Sequence, residues 1–163
     1  MKKKLSIIFS VVLLIVIGLG IYLYTAIRSP LTEGAKEATA FVTEQGMMAE
    51  VDDVSFYHGE ESYWIVSGTS DEGEALFAWV NDDPEKREST LVLPQHAGVP
   101  IEEMKETVAQ ELGVTTFDSV RLGYENGQAV YEFTYTSDTQ GKLFYYTAFE
   151  TGEYMKSFSI RTN

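Results

Sequence analysis

The 163-residue chain offers few side chains with which to do chemistry. It has no cysteine, so neither a disulfide framework nor a thiolate metal site can be built from it. Its two histidines, His58 and His96, have no partner at a ligand spacing such as H-x-x-x-H and read as surface residues of a turn and a loop. Carboxylates cluster as Glu60-Glu61, Asp71-Glu72-x-Glu74 and Asp82-Asp83-Pro84-Glu85. None matches the calcium loop, in which alternating oxygen ligands surround a central glycine and a glutamate closes the set, so they read as turn residues. A carboxylate pair for glycoside hydrolysis depends on separation in space, which spacing along the chain does not reveal. Ser67 and Ser70 flank Gly68 without forming G-x-S-x-G, and Gly18-Leu19-Gly20 lies inside an apolar run instead of a phosphate loop. No nucleophile comes with a base and an orienting third group, so the chain reads as non-enzymatic, with no catalytic residue, metal or cofactor.

The elements that would position any site begin with Leu5–Tyr24, LSIIFSVVLLIVIGLGIYLY, preceded by Lys2, Lys3 and Lys4. The run has the roughly 20 residues a helix needs to cross the hydrocarbon core and holds no charged side chain. A cleaved signal peptide would need a small-residue cleavage site, which Tyr24-Thr25-Ala26-Ile27-Arg28 does not supply, and a lipoprotein signal would need a cysteine. An uncleaved transmembrane anchor is expected over residues 1–28, inserted by Leu5–Tyr24. Three lysines before the run against Arg28 after it put the N-terminus in the cytoplasm and everything from about Ser29 outside the cell membrane. Gly18 and Gly20 are too close for the small-x-x-x-small spacing that pairs membrane helices, so a monomer is expected. Thr25–Thr32, with Pro30, reads as a polar connector reaching at most about 25–30 Å, which implies a membrane-proximal partner.

Charge divides at the same boundary. The first 28 residues carry four basic and no acidic side chains, which leaves eight basic against all 25 acidic ones outside, a formal charge of −17. Such a surface opposes nucleic acid, anionic headgroups and polyanionic wall polymers, and favours a locally basic partner.

Beyond the anchor the pattern is α+β and repeats. Glu33–Gln45 carries Ala35, Ala38, Phe41 and Val42 at helical spacing, with Thr32 as expected N-cap and Gly46 as stop. Strands are expected at Asp53–His58, Ser62–Gly68, Glu74–Val80 and Ser89–Pro94. A second helix opens at Pro100 with Ile101, Met104, Val108 and Leu112 on one face, and ends at Gly113. Four more strands follow at Phe117–Glu125, Ala129–Ser137, Lys142–Glu150 and Glu153–Ile160, with turns at Glu125-Asn126-Gly127-Gln128, Asp138-Thr139-Gln140-Gly141 and Glu150-Thr151-Gly152-Glu153. Tyr63 overlays Tyr131, Gly73 overlays Gly141 and Phe77 overlays Tyr145, all 68 residues apart, while Val54 overlays Val120. The expected organisation is therefore two units, 29–95 and 96–163, each one helix on an antiparallel four-stranded meander.

In the second unit Tyr131, Phe133 and Tyr135 alternate with polar residues, so the aromatic side is expected to meet the helix. Carried back, that register turns Tyr63, Ile65 and Ser67 to the first helix. Trp64 and Val66 then share the far face with Trp79 and Phe77, paired as Trp64–Trp79 and Val66–Phe77. This face either packs on the other unit or is an aromatic patch for a partner. The candidate partner-binding residues are Trp64, Val66, Phe77 and Trp79, with Tyr145 from the second unit.

The lysine-led anchor, the Ala-rich helix and the segments VSFYHGEESYWIVSGTSDEGEALFAWV, PIEEMKETVAQELG and VRLGYENGQAVYEFTYTSDTQGKLFYYTAFETGEYMKSF together resemble the YpmB/TseB-like proteins of Gram-positive bacteria. The closing Phe149-Glu150-Thr151-Gly152-Glu153 hairpin is similar to that of a PepSY module. The resemblance implies tandem cystatin/PepSY-like domains outside the membrane, and a role in regulating cell-wall elongation by binding a penicillin-binding protein. It supplies no catalytic residue. The PepSY likeness implies an alternative, an inhibitor or regulator of an extracellular protease that inserts an edge strand or hairpin into the protease cleft.

Overall fold

The computed structural model describes residues 2–137 and 141–161; within the N-terminal helix, side chains are described at residues 13–20 and from Leu31 onward. The expected turn at 138–140 lies outside the described residues. Helix α1 (Lys2–Glu44) is continuous. The expected connector Thr25–Thr32 is therefore helical, and Thr32 lies within α1 instead of capping it. At about 1.5 Å of rise per residue those eight residues span about 12 Å, less than half the extended reach. Among the described residues no helix is long and apolar enough to cross a membrane. Most side chains of Leu5–Tyr24 lie outside them. The helix ends where expected: Gly46 adopts φ +66°, and the Met47 N–H closes back on the Val42 carbonyl at 2.8 Å.

Two antiparallel meanders follow. The first comprises β1 (Glu50–His58), β2 (Ser62–Thr69), β3 (Ala75–Asn81) and β4 (Leu91–Pro94), in that spatial order. A 3-10 turn at Pro84–Ser89, capped by the Asp83 side chain, fills the space where the fourth strand was expected to begin. Helix α2 (Ile101–Leu112) takes Pro100 as its N-cap and stops at Gly113, φ +65°. The second sheet orders β5 (Ser119–Glu125), β6 (Gln128–Ser137), β7 (Gly141–Ala148) and β8 (Tyr154–Ile160). Its first hairpin turns on Asn126 and Gly127, both at positive φ, as a two-residue turn requires.

The register of the first sheet differs from expectation by one residue. Ile65 pairs with Trp79 and Ser67 with Phe77, while Trp64 pairs with Val80 and Val66 with Ala78. A one-residue slip moves a whole strand to the other face. Separately from that slip, α1 covers the face opposite to the one carried back from the second unit: Trp64 and Val66 lie under it with Ala38, Val42, Ala78 and Val80, whereas Tyr63 and Ile65 face away from it with Trp79. In the second sheet, Tyr131 and Phe133 pack with Met104 and Val108 of α2.

The two units share one core. Tyr57, Tyr63, Ile65 and Trp79 of the first sheet bury themselves against Tyr131, Phe133, Tyr145 and Phe149. Trp79 is fully buried, meets Phe149 edge-on at 5.6 Å and donates its indole N–H to the Gly123 carbonyl at 2.9 Å. The first sheet is therefore covered on both faces.

Candidate functional site

The five residues proposed from sequence do not form one surface. Trp64 (3% exposed) and Val66 (0%) belong to the core beneath α1. Trp79 and Tyr145 are buried in the core between the units, and the partly buried Phe77 packs against the same cluster. Replacing Trp64, Phe77 and Trp79 together by Ser would break two cores at once, so that substitution cannot report on a surface while leaving the fold intact.

At the joint between the units lies a closed polar circuit that alternation of residue types does not reveal. The Tyr57 hydroxyl donates to Glu125 Oε1 at 2.6 Å, and Lys156 Nζ pairs with the other oxygen of the same carboxylate. The Lys156 ammonium also lies 4.9 Å from the Tyr146 ring centre, and the Tyr146 hydroxyl donates to Glu132 Oε2 at 2.6 Å. Arg121 Nε donates to Glu132 Oε1 at 2.6 Å, and its guanidinium sits 5.5 Å from the Tyr57 ring centre, closing the loop. Glu125 and Glu132 are each only 2% exposed. Burial first, and then hydrogen bonding to Glu125 or Glu132, push the Tyr57 and Tyr146 phenols well above the ordinary tyrosine range. Both remain protonated donors, and through Tyr57 the circuit clamps the first unit to the second. Tyr57 reaches it because Gly123 has no side chain: a Cβ there would lie 2.4 Å from the Tyr57 ring. Glu132 reads from sequence as an outward polar residue. It points away from α2 as expected, but Arg121 and Tyr146 close over it.

Beside α1 runs an open apolar groove of about 690 Å³, lined on the helix side by Leu31, Thr32, Ala35, Lys36, Thr39 and Ala40. Its other wall is Val54 and Phe56 of edge strand β1 with Trp64. Phe56 and Trp64 lean together at 4.8 Å, and the Trp64 indole N–H is held by Asp82 Oδ1 at 2.7 Å. The indole lies so close to α1 that a Cβ on Gly34 would sit 2.3 Å from it. A glycine costs a helix interior about 1 kcal/mol relative to alanine, and here it makes room for the groove wall. Thr32, Thr39 and Ala40 flank the apolar side of α1 that meets the sheet, so helical spacing does not mark them as a groove. Among the described residues no group of three or more His, Asp or Glu is arranged to hold a metal ion.

Two helix-backed meanders joined face to face, with a clamp at the joint and a groove along a long N-terminal helix, make up an α+β module. That module is similar to the TseB-like proteins. The sequence model of the "Cell wall elongation regulator TseB-like domain" matches residues 37–81, from the end of α1 through β3. "Probable cell wall elongation regulator TseB" of Bacillus subtilis (strain 168) is 27% identical over 162 residues, 98% of this chain and 99% of that protein. The solved structure of "YpmB protein from Bacillus subtilis" matches with a TM-score of 0.69 at 27% identity, covering 78% of this chain and 98% of that one. The resemblance to the YpmB/TseB-like proteins is thus shown in both sequence and fold.

Proposed function

We propose that the chain is a membrane-anchored, extracellular, non-enzymatic adaptor that regulates cell-wall elongation by binding a penicillin-binding protein. The observation that carries this reading is the continuity of α1 from the lysine-led apolar run into the core of the first sheet. A helix without a flexible linker sets the height and orientation of the folded part above the bilayer, which suits a protein that acts on another membrane-bound one. The near full-length likeness to a protein named as a wall-elongation regulator supports the process. The strongly acidic exterior supports a protein partner over a wall polyanion. The protease-inhibitor reading rests on the module likeness alone.

The test is complementation in a Gram-positive bacterium lacking its own copy. The full chain is expected to restore normal elongation, and a secreted form without Leu5–Tyr24 to fail although folded. Normal elongation with the secreted form, or none with the full chain, would sink the proposal. In-membrane cross-linking of the full chain is expected to trap a penicillin-binding protein.

A further inference from the structure

We infer that the groove between α1 and β1 receives the membrane-proximal helix of a single-span partner, running alongside α1 and carrying a carboxylate opposite Lys36. This deepens the adaptor reading and rests on the anchor it assumes. The groove starts at Leu31, seven residues past Tyr24, which at about 1.5 Å per residue is about 10 Å beyond the apolar run. It continues to Ala40, about 13 Å further, enough for two to three turns of a neighbouring helix. A span that leaves the bilayer beside α1 and stays helical enters this groove without bending.

The lining fits a helix. Thr32, Ala35, Thr39 and Ala40 are small and let a second backbone approach, while Leu31, Val54, Phe56 and Trp64 supply apolar walls for side chains at i, i+3, i+4 and i+7. Charge selects further. Of the eight basic residues after Arg28, five are committed to ion pairs among the described residues: Lys86, Arg87, Lys105, Arg121 and Lys156. Lys36 has no ion pair among the described residues and is the one charge lining the groove. A carboxylate at its level completes the contact. Elsewhere the occupant gains by being basic, facing an exterior of formal charge −17.

The chain has no cysteine, so Thr39→Cys in the full-length protein can be labelled uniquely with a photoreactive maleimide and irradiated in native membranes. The expected adduct maps, by peptide mass spectrometry, to a helix within about four turns of the span of another single-span protein. Label at Thr115, in the separate groove beside α2, is expected not to trap that segment. Ala40→Trp, which fills the groove, should lower the yield about tenfold. Lys36→Glu, at an exposed position that leaves folding intact, should lower it about threefold. If the labelled chain restores elongation but the adduct is to lipid, to a second copy, or to a segment far from any span, the groove assignment is overturned and the adaptor reading stands. If the adduct is the expected helix while the Ala40→Trp chain elongates normally, the assignment holds and the adaptor reading fails.

Discussion

The two units share an architecture yet spend their sheet faces differently. The first sheet has α1 on one side and the second unit on the other, so Tyr63, Trp64, Ile65 and Val66 are all buried in succession. The second sheet has α2 and the first unit's aromatic residues on one side. Its other side holds the Glu125 and Glu132 clamp, then opens to solvent through Phe158 and Ile160. A sheet covered twice needs apolar residues on both faces, whereas one covered once keeps alternation and can bury charge only where partners surround it. The first unit is the sandwiched one, held by the helix that leads to the apolar run.

The largest test of that difference is the joint itself. Trp79→Ala in the full chain in detergent should cost about 3–5 kcal/mol in denaturant unfolding, because a fully buried indole and its bond to Gly123 are lost together. Read by Trp64 fluorescence, the first unit should then unfold apart from the second. A single transition for both units would mean that the shared core is not what couples them.

The clamp comes next. Lys156→Met leaves the Glu125 carboxylate buried with only the Tyr57 phenol, and should cost about 2–4 kcal/mol, moderated because the lysine is 33% exposed. Adding Glu125→Gln should return part of that loss. A double variant no better than the single one would show that the two groups are not coupled.

The phenols give a pH signature. Burial pushes Tyr63 and Tyr131 up to about 12, against about 10 in the unfolded chain. Below pH 10 both states keep these protons and the stabilisation is complete. Between pH 10 and 12 the unfolded chain ionises first, so stability should fall as pH rises. Tyr131→Phe removes the hydrogen bond to the Val99 carbonyl, at a cost of about 1 kcal/mol at neutral pH, and should make the alkaline fall shallower. An unchanged slope in denaturant midpoints from pH 9 to 12 would count against it. The smallest effect is expected at the solvent side of α2. Lys105→Ala removes only an exposed pair with Glu102 and should change stability by less than about 0.5 kcal/mol, with a larger value marking an unrecognised contact.

Much of the fold was legible in the chain. Helical spacing marked α2, Gly46 and Gly113 marked helix ends, Asn126-Gly127 marked a hairpin, and Tyr131–Phe133 marked the face turned to α2. These are local properties, set by backbone geometry and by the period of a single element. The placement of Trp64, Val66, Phe77 and Trp79 was not legible, for a definite reason. The Ser70–Glu74 connection between β2 and β3 is long enough to allow more than one register, and a strand apolar on both faces carries no alternation to choose between them.

What the sequence by itself determined is the inventory: a lysine-led apolar run, a strongly acidic remainder after residue 28, and two helices each followed by four strands. What only the tertiary structure decided is which neighbour each face meets. It put Trp64 beneath α1 and Trp79 between the units, closed Arg121 and Tyr146 over Glu132, and left a groove beside small residues of α1. The period of a strand or helix says which side chains travel together, but what lies opposite them depends on contacts between elements far apart in the chain.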